Sequence, residues 1–203
     1  LGFSRLLRED YGARIDEKGR HFLDRIEQAG RTMESLIHDL LELSRIGRTE
    51  AAKSLIDPRI VLAPLYAEFK PRLDKEGASL ELPQSPPMLM CNRTRLYQLF
   101  SNLVGNALDH MGVVAHPLIR VEVSSLQDSH QITVSDNGKG IDPAQHDRIF
   151  EIFQSAGRRK DGRRGTGIGL AIVKKIAETH GGRAWVESRP DQGASFHLTL
   201  PSL

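Results

Sequence analysis

The chain has 203 residues, of which 39% are hydrophobic and 27% charged, a composition typical of a globular protein. Its 28 Lys and Arg against 26 Asp and Glu leave a net charge of +2, so we expect no nucleic-acid partner. A single cysteine excludes an internal disulfide and fits a cytoplasmic protein, and no apolar run approaches the roughly 20 residues of a membrane helix. The chain begins with Leu1 and lacks a signal-peptide pattern, so we expect a piece of a longer protein.

Apolar residues follow a coiled-coil spacing near the start of the chain. The intervals alternate between 4 and 3 along Phe22, Ile26, Ala29, Met33, Leu36, Leu40 and Leu43. Asp16 as N-cap and Gly47 as terminator predict a helix over 17–46, preceded by the end of another helix. We therefore predict a helical hairpin over 1–48, and a four-helix bundle when a second copy joins it. A hairpin packed against its own chain is the alternative.

The pattern changes after a linker predicted at 49–57, and we predict a second domain over 58–203. The expected elements are helices over 58–75, 92–110 and 170–180, a strand at 79–82, a hairpin of 119–123 with 131–135, and closing strands at 183–187 and 195–200. This order predicts an α+β chain whose second domain is a two-layer sandwich with a mixed, mostly antiparallel sheet.

Three polar residues share one face of the helix predicted over 92–110. Asn102, Asn106 and His110 follow one another at intervals of four, away from the apolar stripe of that helix. Asparagine is a mediocre helix former, and its amide oxygen is a suitable Mg²⁺ ligand. A solvated polar face is the alternative.

A second motif follows the strand predicted at 131–135, where Asp136 precedes Gly138, Gly140 and Ile141. A carboxylate at this turn can accept a hydrogen bond from the amino group of adenine, and the glycines let the backbone approach the base. An ordinary Asn-Gly turn is the alternative.

A glycine-rich segment, the third motif, precedes the helix predicted over 170–180. It contains Gly165, Thr166, Gly167, Ile168, Gly169 and Leu170. Amides at a helix N-terminus can receive phosphate, whereas a Rossmann site would require a preceding strand. Here a basic run with Arg158 and Arg159 precedes the glycines, which favours a mobile lid over a triphosphate. A solvated charged loop is the alternative.

The order of these motifs resembles the catalytic core of sensor histidine kinases in two-component systems, most closely the phytochrome-like branch. The resemblance implies the Bergerat-type ATP pocket shared by gyrases, chaperones, kinases and mismatch-repair proteins. It implies Asn106 as Mg²⁺ ligand, Asn102 beside the phosphates, Asp136 on adenine, and Phe150 with Phe153 as anchors of the lid hinge. The remaining residues of the three motifs, with Arg158 and Arg159, would line the ATP site.

The resemblance also implies an activity and its partners. ATP would give its γ-phosphoryl group to a histidine, and an aspartate of a response regulator receiver domain would then take it. The other partners would be a second copy of the chain and an upstream sensor domain. In the family an acidic residue and, a few positions on, a proline follow the acceptor; none of the eight histidines has this surrounding. We interpret His38 as a surface residue and expect the acceptor before Leu1.

The chain departs from the family at Asp109 and His110, where a basic and an aromatic residue are usual, and at Ser155, often an arginine in the related branch. A carboxylate near a triphosphate would repel it unless Mg²⁺ or a lid arginine intervenes. A degenerate kinase that serves as a scaffold or phosphotransfer adaptor without binding ATP therefore stays open. The superfamily's ATPases are the other alternative, but they carry a glutamate base where this chain has Asn102.

Overall fold

The computed structural model describes residues 2–47, 52–154 and 165–202. The chain divides into two compact units, Leu1–Glu42 and Leu43–Leu203. In chain order the α-helices and strands are α1 Gly2–Tyr11, α2 Glu17–Arg45, β1 Ser54–Ile56, α3 Arg59–Glu76, β2 Ser79–Glu81, β3 Leu89–Cys91, α4 Arg93–His110, β4 Leu118–Ser125, β5 Ser129–Asp136, α5 Gly169–Thr179, β6 Ala184–Ser188 and β7 Ala194–Pro201.

The first unit is the predicted helical hairpin. The Asp16 carboxylate accepts the Gly19 N–H at 2.7 Å, so the predicted cap is present. Arg8 of α1 pairs with two carboxylates of α2, Asp24 at 2.7 Å and Glu27 at 3.2 Å. The apolar seam of α2 is largely uncovered in the single chain, where Met33 is 62% exposed.

The second unit is a two-layer α+β sandwich, as the sequence predicted. Its five-stranded sheet has the order β2-β4-β5-β7-β6, in which only the β2–β4 pair is parallel. Alternate residues of β7 are buried, from Ala194 to Leu200, and α4 and α5 pack on that face of the sheet. The fold class and the β4–β5 hairpin are therefore confirmed.

Helix α4 is the central element of the helical layer because it packs against both α3 and α5. The Asn92 side chain caps it by accepting the backbone N–H groups of Thr94 at 3.0 Å and Arg95 at 3.2 Å. Its apolar stripe includes Phe100 and Leu103, both fully buried. Each such side chain contributes about 2 kcal/mol to the free energy of unfolding.

The sequence missed two short strands. β1 lies within the stretch interpreted as a linker, and it pairs with β3 in an antiparallel sheet of two strands. Each strand has three residues, too few for a period-of-two pattern to be distinctive. Helix α3 continues through two prolines, Pro64 and Pro71. Among the described residues, no helix has both the length and the apolar character needed to cross a bilayer.

Candidate nucleotide site

Asn102 on α4 lies against the first residue of α5. Its Nδ2 donates to the carbonyl oxygen of Gln98 at 2.8 Å, one turn back along the helix. A methyl group added at Gly169 would lie 2.7 Å from Oδ1 of Asn102, so a larger residue would displace this amide. The asparagine face and the glycine-rich segment, predicted separately, therefore meet in the structure.

Among the described residues, no side chain caps the N-terminus of α5. Ile168 precedes it and offers no capping oxygen, and the Thr166 hydroxyl accepts the Ile168 N–H at 3.4 Å, outside the helix. Amides in the first turn of a helix have no intrahelical acceptor. The start of α5 thus presents N–H groups and the positive end of the helix dipole beside Asn102.

Asn106 follows Asn102 by one turn on the same face of α4. Its side chain is half-buried and forms no hydrogen bond with any described residue. His110 ends the helix one turn later and is also half-buried. An unengaged amide at this position has the donor chemistry of a Mg²⁺ ligand, so it fits the ion that the resemblance implies.

Asp136 ends β5 with its carboxylate partly engaged. Oδ1 accepts the backbone N–H of Gly138 at 2.8 Å, and the Ala194 backbone supplies a second bond. Burial raises the pKa of this carboxyl, although both backbone hydrogen bonds act in the lowering direction. The arrangement presents a partly buried acceptor at the C-terminal end of the central strand, which is the chemistry needed to receive an adenine amino group.

The loop after Asp136 packs against the backbone of two other segments, at Met111 and at Arg189. Lys139 donates its N–H to the carbonyl oxygen of Met111, just beyond α4, at 3.1 Å. Gly140 has a φ of +68°, and a Cβ there would lie 1.9 Å from the carbonyl oxygen of Arg189. This packing explains why residue 140 is a glycine even when no ligand is bound. The approach of the adenine base to Gly138 stays a prediction. Ile141 donates its N–H to Ser188 Oγ at 2.8 Å, which fixes the end of the loop.

The two phenylalanines predicted as lid anchors have different surroundings. Phe150 is buried and packs edge-to-face on Phe196, with ring centroids 6.5 Å apart. Phe153 is 64% exposed and has a φ of +66°, so it is not a core residue. Its backbone N–H donates to the carbonyl oxygen of Gly167 at 2.9 Å. Arg158, Arg159 and Ser155 lie outside the described residues.

Asp109, the departure noted from the sequence, is paired. Its Oδ1 accepts a hydrogen bond from Nη2 of Arg72 on α3 at 2.6 Å, and its side chain is only 12% exposed. Arg72 also donates from Nε to Glu76 at 2.9 Å. Burial acts to lower the pKa of Arg72, but the hydrogen bonds with Glu76 and Asp109 raise it on balance, so the guanidinium stays charged.

Sequence reasoning missed Arg72, Met111 and Arg189, which all support the site from elsewhere in the chain. Arg72 precedes its partner by 37 residues, so no local spacing connects the two. The signal available in the sequence was Asp109, an acidic residue at a position where the family usually has a basic one. Such a residue requires a cation nearby.

Comparisons with known protein families identify the family of this chain. Residues 91–203, more than half of it, match the family described as histidine kinase-, DNA gyrase B-, and HSP90-like ATPase. Residues 1–49 match the His Kinase A (phospho-acceptor) domain. The chain belongs to the sensor histidine kinase family. It comprises the kinase core, in which a phospho-acceptor domain precedes an ATP-binding domain.

Relatives of this kinase core include the phytochrome-like protein Cph1 of Synechocystis, 35% identical over 98% of the chain, and cyanobacterial phytochrome A of Nostoc, 37% identical over 98%. The methanogenesis regulatory histidine kinase FilI of Methanothrix harundinacea is 33% identical over 99%. The chain spans about a quarter of the length of these proteins, 26%, 26% and 22%. Since identities barely differ between phytochromes and FilI, the phytochrome-like branch stays a prediction.

Solved structures agree with the fold of the kinase core. Full-length ShkA in complex with AMPPNP superposes with a TM-score of 0.71 at 26% identity, covering 99% of this chain and 42% of ShkA. A nucleotide-free catalytic domain of the histidine kinase ThkA gives 0.61 at 26% identity, covering 73% of this chain and 97% of that domain.

Proposed function

We propose that this core binds ATP with Mg²⁺ between α4 and α5 and transfers the γ-phosphoryl group to a histidine. Asn106 would hold the ion, which would supply positive charge against the negative charge that develops during transfer. The observation that carries the proposal is the contact between Asn102 and Gly169, which brings the asparagine face to an uncapped helix N-terminus.

Each motif has one task in this proposal. Asn106 would hold the ion, the amides of the α5 N-terminus would hold phosphate oxygens, and Asp136 would accept the adenine amino group. His110, Gly138, Gly140, Ile141 and the segment 165–170 would line the site, and Arg158 and Arg159 would close over the phosphates. Positioning and charge neutralisation would then supply most of the rate enhancement.

Partners follow from the same proposal. The exposed seam of α2, which includes Phe22, Ile26 and Met33, would pair with a second copy to form a four-helix bundle. An upstream sensor domain would regulate the core, and a response regulator receiver domain would take the phosphoryl group. The phospho-acceptor family match implies dimerisation, which supports the first of these.

ATP hydrolysis is the competing function, since gyrase-like proteins share the family. A hydrolase needs a base that activates water, and the residue one turn before Asn106 is Asn102, whose amide cannot accept a proton at neutral pH. This favours phosphoryl transfer. A scaffold that does not bind ATP rested on the charge of Asp109, which Arg72 compensates.

The test is direct. The natural full-length protein is incubated with Mg²⁺ and γ-labelled ATP, and the protein-bound label is examined for acid lability and base stability. We expect such label, and its loss in Asn106→Ala. Release of phosphate without protein label would instead indicate an ATPase, and failure of residues 1–203 to bind ATP would support the scaffold.

A further inference from the structure

Asp109, near the C-terminal end of α4, is a charged residue that belongs to none of the three motifs. Asp109 lies one turn after Asn106, and its direction is rotated by about 60° around the helix axis relative to Asn106. The carboxylate is therefore a neighbour of the amide proposed to hold the metal ion. Left uncompensated, it would repel a triphosphate or compete with it for the ion.

Arg72 determines which way this carboxylate points. The 2.6 Å bond from Nη2 and the 12% exposure of Asp109 place the pair between α3 and α4. The 2.9 Å bond from Nε to Glu76 holds the guanidinium from its other side. A planar guanidinium can satisfy two carboxylates at once, which a lysine ammonium does less well.

We propose that Arg72 is a positioning residue of the nucleotide site, because it neutralises Asp109 and holds its carboxylate toward α3 and away from the phosphates. The inference rests on the proposed function. It accounts for an acidic residue beside a triphosphate, and it predicts that the charge of Asp109 harms ATP binding only when Arg72 is absent.

The experiment compares three variants of the chain 1–203: Arg72→Ala, Lys70→Ala and the double variant Arg72→Ala with Asp109→Asn. Lys70 is the matched control because it pairs with Asp74 on the same helix at 3.1 Å, with both side chains exposed. Both single variants remove one positive charge, and only Arg72→Ala removes the guanidinium that pairs with Asp109.

Calorimetric titration with ATP and Mg²⁺ is the first readout, and NMR titration with adenosine is the second. We expect Arg72→Ala to weaken ATP binding on the order of tenfold, because it removes the positive charge that offsets Asp109 near the triphosphate. Lys70→Ala should change it less than about twofold because its charge is exposed and screened. Adenosine binding should not change, and the double variant should regain wild-type affinity for ATP.

Several outcomes would overturn the inference. Unchanged ATP affinity in Arg72→Ala would do so, as would failure of the double variant to recover, which would mean that Arg72 acts through some other contact. An equal loss for ATP and adenosine would indicate a purely structural role. If the wild-type chain bound adenosine but gained nothing from the phosphates, the proposed function would fail as well.

Discussion

Phe153 donates its backbone N–H to the carbonyl oxygen of Gly167 at 2.9 Å, which joins the two ends of the segment between them. The bond connects Phe153, one of the two predicted lid anchors, to the glycine-rich segment that precedes α5. Both residues have positive φ, +66° for Phe153 and +67° for Gly167. The geometry at Gly167 leaves no room for a side chain, because a Cβ would lie 2.6 Å from the carbonyl oxygen of Gln154.

Gly167→Ala should therefore damage the site. Left-handed backbone costs a non-glycine residue about 1–2 kcal/mol, and the added methyl would push the 153–154 backbone away. We expect ATP affinity to fall by on the order of tenfold, because this strain would displace the glycine-rich segment that is proposed to hold the phosphates. Calorimetric titration measures this change.

Gly77→Ala is the matched control for this substitution. Gly77 ends α3 with a φ of +63°, and nothing lies within 4 Å of its added Cβ. This variant should lower the free energy of unfolding by about 1 kcal/mol and leave ATP affinity unchanged. Equal effects of both alanines on ATP binding would contradict a role for Gly167 in the site.

Asp136→Asn should separate stability from binding. An asparagine Oδ1 can still accept the Gly138 N–H, whereas a neutral amide is a weaker acceptor for an adenine amino group. Loss of a charge-assisted hydrogen bond predicts ATP affinity about tenfold lower or worse. The measurement is ATP titration together with thermal unfolding.

The pH dependence of Asp136 has a definite sign. Burial raises its folded-state pKa above 3.8, so the folded protein binds the proton more tightly than the unfolded chain. The charged carboxylate therefore reduces the free energy of unfolding as pH rises from 3.8 through the folded pKa. Above this window, Asp136→Asn should be at least as stable as wild type. A clear loss of stability at pH 7 would show that both oxygens are needed for folding.

Asn106→Ala should stabilise the helix while it removes metal-dependent binding. Alanine is favoured over asparagine in a helix interior by roughly 0.5 kcal/mol, and Asn106 has no hydrogen bond to lose among the described residues. We expect an equal or higher melting temperature and ATP affinity that no longer responds to Mg²⁺. Titration with and without EDTA checks this, and a preserved Mg²⁺ response would remove Asn106 as the ligand.

Dimerisation through α2 can be tested at Met33, a seam residue that is 62% exposed in the single chain. Met33→Glu would bury a charge in the bundle and should weaken dimerisation at least tenfold, which corresponds to about 1.4 kcal/mol. Ser35→Glu adds the same charge away from the seam and should have no effect. Sedimentation equilibrium reports both, and a wild-type chain that is monomeric throughout would contradict the bundle.

Sequence alone determined the fold class, the long helices and the family. A coiled-coil seam and the Asp16 cap define α2, and an apolar stripe defines α4, because these are local features that can be read from neighbouring residues. The order of the three motifs identified the kinase core for the same reason, and the matches over 1–49 and 91–203 confirm that identification.

Tertiary structure alone decided how the site is supported. The β1–β3 pair, the contact of Asn102 with Gly169, and the pairing of Arg72 with Asp109 all join residues far apart in the chain. Sequence patterns report the surroundings of a residue along the chain, whereas charge compensation depends on which side chains packing brings within about 3 Å. From the sequence, Asp109 was therefore only an acidic residue near an expected triphosphate, and its partner Arg72 became visible only in the packing of α3 against α4.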